Sequence, residues 1–73
     1  MKWKPKIGEI YYTPYLLRGE AYFIDFDWSG DLKDNNLYEN GLVCRTKIEA
    51  LVLAGKMLAV AREYMEAKGD NLR

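Results

Sequence analysis

Between Asp25 and Asn36 the chain reads DFDWSGDLKDNN, which places four aspartates, two asparagines and a Ser-Gly pair in one short stretch. Alternating oxygen donors ahead of a glycine are what a calcium loop uses. Asp25, Asp27, Ser29 and Gly30 match the first, third, fifth and sixth positions of such a loop, with Leu32 at its apolar eighth. The twelfth position, where a bidentate glutamate closes the loop, holds Asn36, and Asp25 ends a strand pattern instead of a helix. The expectation is therefore no metal and no other cofactor. The same carboxylates have two further uses. Asp25 and Asp27 share a strand face about 7 Å apart, close to the phosphate repeat along a nucleic-acid strand, so they could enter a partner's site built for phosphates. With Asp31 and Asp34 they form a candidate partner-binding surface; the plainer alternative is a polar turn with solvated carboxylates.

Catalytic chemistry has little to draw on. Histidine is absent, Ser29 is the only serine, and there is no Gly-rich phosphate loop or pair of metal-ligating cysteines. Paired carboxylates can perform acid–base work, but a chain of 73 residues offers few walls for a cleft, so a non-enzyme is expected. Cys44 is the single cysteine, which excludes an internal disulfide and fits a small buried apolar residue. Eleven basic residues balance eleven acidic ones, leaving no net field to draw in nucleic acid or an anionic membrane. A local alternative remains at the start of the chain. Lys2, Trp3, Lys4 and Lys6, followed by Tyr11, interleave cations with aromatics as a single-strand binder does. No apolar run follows the basic arm, and the longest apolar segment is too short and too interrupted to span a bilayer, so a cytoplasmic location without membrane association is expected.

Positioning these residues requires few elements. After a basic arm at residues 1–6, residues 7–17 alternate in the strand sense, with Ile10 and Tyr12 on one face and Tyr11 and Thr13 on the other. Arg18-Gly19 supplies a turn. Residues 21–28 form the clearest strand, with Tyr22, Ile24, Phe26 and Trp28 opposite Phe23, Asp25 and Asp27. Residues 29–41 read as a polar loop, and 42–45 as a short third strand. Thr46-x-x-Glu49 is a capping box opening a helix over 47–68, with Gly69 as terminator and 69–73 as a tail. The expected fold is α+β: one domain, a three-stranded antiparallel sheet packed on a long C-terminal helix, in the order β-β-β-α.

The helix is more apolar than such a sheet requires. Leu51, Ala54, Leu58 and Met65 lie in an arc covering nearly half its circumference. Either Leu32, Leu37 and Tyr38 of the loop cover one flank of that arc or a second copy of the chain does, and the homodimer is the expectation adopted, because large apolar patches seldom stay exposed on monomers.

Trp3-x-Pro5-x-x-Gly8-x-x-Tyr11-Tyr12, Trp28 closing the second strand, and Gly41-x-Val43-x-x-Thr46-x-x-Glu49-Ala50 resemble a group of small accessory proteins of bacteriophages and related mobile elements. The resemblance covers nearly the whole chain and carries no general activity. Asn40 precedes Gly41 here, where the group has the reverse order. The resemblance implies a protein that binds and blocks a host factor, CRISPR-type nucleases included. The functional expectation is accordingly a non-catalytic module acting on a host protein through Asp25, Asp27, Asp31 and Asp34. The alternative is a nucleic-acid-binding accessory protein using the basic aromatic arm.

Overall fold

The computed structural model describes residues 3–68, and Lys2 and Gly69 lie outside that range. The fold is α+β. Strand β1 (Ile10–Leu17) and strand β2 (Glu20–Asp27) form a two-stranded antiparallel ribbon, followed by helix α1 (Leu32–Glu39) and helix α2 (Lys47–Lys68). Ile10 pairs with Asp27 and Leu17 with Glu20. The connection is the two-residue turn Arg18-Gly19, with φ of 52° and 80°, the paired left-handed conformations that match the twist of a hairpin. The ribbon is extended beyond β1 by Gly8 N–H donating to the Trp28 carbonyl and Trp28 N–H to that of Glu9.

The three-stranded sheet expected from sequence is not formed, and two local structures explain why. Residues 29–41 are not a loop: they contain α1, capped at both ends. Asp31 is its N-cap, its carboxylate accepting from Asp34 N–H at 2.9 Å. At the other end Gly41 N–H reaches the Tyr38 carbonyl and Leu42 N–H the Leu37 carbonyl, a paired closure made possible by the φ of 74° at Gly41. Leu42 is thereby consumed by the end of α1, and Thr46 already opens α2. What remains between them is too short for a strand. Cys44 alone pairs with Tyr12, exchanging both backbone bonds at 2.9 and 2.7 Å as an isolated bridge.

Helix α2 begins with a reciprocal box: Glu49 N–H donates to the Thr46 hydroxyl at 3.1 Å, and Thr46 N–H donates to the Glu49 carboxylate at 3.1 Å. Arg45 N–H joins the same carboxylate oxygen at 3.0 Å. The helix packs on both strands, burying Ala50 and Ala54 completely. Both buried positions of the ribbon, Tyr11 and Thr13, share one face, and Trp28 is buried just beyond it. Around them Tyr11 meets Phe26 and Trp28, and Trp28 meets Tyr38 edge-on, which ties α1 to the ribbon. Among the described residues no helix is long and apolar enough to cross a membrane.

Candidate functional site

The acidic stretch divides into an inside and an outside. Asp34 stands at the third position of α1 and is fully buried. Its Oδ1 accepts from the Tyr11 hydroxyl at 2.5 Å. Its Oδ2 accepts from Ser29 N–H at 2.7 Å, Gly30 N–H at 3.1 Å and the Ser29 hydroxyl at 3.1 Å. Lys33 Nζ adds a charge 3.6 Å from Oδ1 while lying 3.6 Å from the centre of the Phe26 ring. Burial alone would raise the Asp34 pKa. The donors from Tyr11, Ser29 and Gly30 outweigh that effect and hold the carboxyl well below the usual carboxylate range. Burial, followed by the hydrogen bond to Asp34 and that carboxylate's charge, pushes the Tyr11 phenol well above its ordinary value. The pair is thus a neutral phenol donating to an ionised carboxylate, and it joins β1 to the start of α1.

Of the side chains matched to calcium-loop ligands, only Ser29 is engaged within the chain among the described residues, while Asp25 and Asp27 are not. The Asp31 carboxylate caps α1, the Ser29 hydroxyl points at Asp34, and both Asp34 oxygens are occupied by protein donors. Of the four aspartates expected to form a docking surface, Asp34 is therefore interior, whereas Asp25, Asp27 and Asp31 are exposed. Asp25 and Asp27 project from one face of β2, opposite Tyr12 and Ile10 respectively. With Ile10 and Phe26 they line a shallow recess of about 170 Å³. Ile10 is 49% exposed there. Among the described residues neither side chain of this aspartate pair makes a hydrogen bond or ion pair.

The basic aromatic arm is dispersed. Tyr11 is fully buried and cannot offer its ring to a base. Trp3 is half-buried, Lys4 lies over the Trp28 and Tyr38 rings at 5.7 and 5.3 Å, and Lys6 is exposed. Lys2 lies outside the described residues. The residues expected at a dimer interface also separate: Ala54 is fully buried within the chain and Leu58 partly so, while Leu51 and Met65 are exposed.

A second concavity was not legible in the sequence. Trp3, Tyr38, Val43, Cys44, Arg45 and Leu53 line a cleft of about 430 Å³. The Arg45 guanidinium lies 5.7 Å from the Trp3 ring centre. The Glu49 carboxylate at its margin is engaged in capping α2. Burial, with the nearby Glu49 charge adding to it, pushes the Cys44 thiol up, which keeps it protonated and disfavours nucleophilic use. Comparison with family models, with curated proteins and with solved structures gives no match.

Proposed function

We propose that this chain is a non-catalytic binding module that modulates or inhibits a partner protein by presenting Asp25 and Asp27 to a basic surface. The observation that carries this reading is the pair of unengaged carboxylates flanking Ile10 on one strand face. An arginine or lysine can lay its alkyl stem on Ile10 while its charged head meets both carboxylates. Asp31 lends further negative charge from the N-cap of α1. Asp34 serves differently, by joining the ribbon to α1 through Tyr11. The spacing of the two carboxylates, about 7 Å along the strand, suits a groove that otherwise receives nucleic-acid phosphates. The resemblance to phage accessory proteins supports a host nuclease of the CRISPR type as the partner, met in the host cytoplasm.

The test compares the wild type with the double variant Asp25→Asn/Asp27→Asn, using a labelled hexa-arginine peptide and a labelled single-stranded oligonucleotide at low and physiological salt. The reading requires peptide binding that weakens at least tenfold in the variant while its melting temperature is unchanged. Equal peptide binding by both proteins, or salt-dependent capture of the oligonucleotide that is lost on replacing Lys4 and Lys6, would reject it.

A further inference from the structure

The sheet does not cover the whole apolar arc of α2. Over the first half of the helix Ala50 and Ala54 are buried and Leu53, Met57 and Leu58 are partly covered. Arg62 Nη2 then donates to the Gly19 carbonyl at 3.0 Å, which places the hairpin turn beside this point of the helix. The same arc nevertheless continues: Val60 is 66% exposed, Tyr64 58% and Met65 52%, and Ala61 is exposed between them. A groove of about 350 Å³ is lined by Ala61, Arg62, Met65 and Glu66.

We infer that a second copy of this chain occupies the groove, the two α2 helices pairing antiparallel around Ala61 and Met65. Two observations favour a copy over an unrelated partner. The first is charge. In an antiparallel helix pair, flanking residues on the same side of the seam meet their counterparts about a central two-fold axis. Arg62 and Glu66, one turn apart on one side of Met65, then place each copy's arginine opposite the other's glutamate, so the surface is complementary to itself. The second is area. The exposed parts of Val60, Ala61 and Met65, with the alkyl stems of Arg62 and Glu66, make a patch on the order of a few hundred Å² per chain, the scale that seldom stays bare on a monomer. Two copies then bury less than the roughly 1,200–2,000 Å² of a standard interface, so the dimer exchanges with monomer at micromolar concentrations or above. The interface lies further along the helix than Leu51, Ala54 and Leu58, because the chain itself covers Ala54 and part of Leu58. The small Ala61 provides the hollow and Met65 the adaptable ridge that fills it. The recess at Asp25 and Asp27 is lined by none of these residues, so each dimer carries two copies of it.

Sedimentation equilibrium of the full chain from 5 µM to 1 mM, with circular dichroism to verify folding, tests the pairing. The wild type is expected to rise from the monomer mass of 8.5 kDa towards twice that value. Ala61→Arg, a substitution at an exposed helical position, is expected to keep its helicity and remain monomeric throughout. Glu66→Arg sets arginine against arginine and shifts the association midpoint at least fivefold higher. A wild type that stays monomeric to 1 mM overturns the inference. So does a dimer that folded Ala61→Arg leaves intact, or one that Glu66→Arg does not weaken.

Discussion

Replacing Tyr11 with phenylalanine isolates the contribution of the buried phenol–carboxylate pair. The ring remains, so its contacts with Phe26 and Trp28 are kept, and only the hydroxyl that donates to Asp34 is lost. Asp34 stays fully buried with its Oδ2 donors, but Oδ1 is left with Lys33 Nζ at 3.6 Å as its remaining charged neighbour. Losing one hydrogen bond to an ionised acceptor costs about 1.5–3 kcal/mol. A domain of this length is stable by about 4–11 kcal/mol in total, so a loss near ~2 kcal/mol lowers its melting temperature by roughly 8–16 °C. The pH dependence gives a second signature. The folded pKa of Asp34 is depressed, so its stabilisation is complete above the unfolded value of about 3.9 and is lost as the pH falls towards the folded value. The folded pKa of Tyr11 is raised, so its stabilisation is complete below about pH 10 and is lost as the pH climbs through the folded value. Thermal melts of wild type and Tyr11→Phe from pH 2 to 11 read both limbs. The variant is expected to show a shallower acid limb and to lack the alkaline decline due to Tyr11. A melting temperature within about 2 °C of wild type at pH 7, or an alkaline limb identical in the two proteins, would show that the Tyr11–Asp34 bond does not stabilise the fold.

Other substitutions probe the connections. Arg18 occupies a left-handed conformation next to Gly19, so Arg18→Asn is expected to stabilise by about 0.5–1 kcal/mol, seen as a higher urea midpoint at unchanged slope. A Cβ at Gly41 meets no atom within 4 Å, so Gly41→Ala reports backbone strain alone, a loss of about 1–2 kcal/mol by the same measurement. Thr46→Ala removes the hydroxyl that caps α2 and is expected to cost about 1 kcal/mol, with amide exchange fastest in the first turn of the helix.

How far the residues announced this structure varies by element. The hairpin is legible because Arg18-Gly19 separates two alternating runs, and the start of α2 because Thr46 and Glu49 stand at capping-box spacing. Helix α1 is concealed: LKDNNLYE is rich in Asp and Asn, which compete with helical backbone bonds, and it has few apolar residues to set a period. Its signal is instead at the ends, in Asp31-x-x-Asp34 and Asn40-Gly41. Missing that helix misplaces its neighbours. Residues 42–45 look β-prone in isolation, yet two helix termini claim most of the segment and only Cys44 pairs. The candidate site was legible in part. Asp25 and Asp27 emerge on one face because strand alternation requires it, whereas the burial of Asp34 depends on Tyr11, 23 positions away in sequence. No local pattern encodes a contact of that range. The aromatic cleft is hidden for the same reason, since Trp3, Tyr38 and Leu53 come together only when both helices are placed.

One acidic stretch divides its roles: Asp34 joins the ribbon to α1, and Asp25 and Asp27 are proposed to face a partner. Carboxyl-detected NMR of the aspartate side chains during titration with the hexa-arginine peptide at pH 7 tests this directly. The Asp25 and Asp27 carboxyl signals are expected to move together and saturate while that of Asp34 stays fixed. An Asp34 signal that moves with peptide, or Asp25 and Asp27 signals that do not, would contradict it.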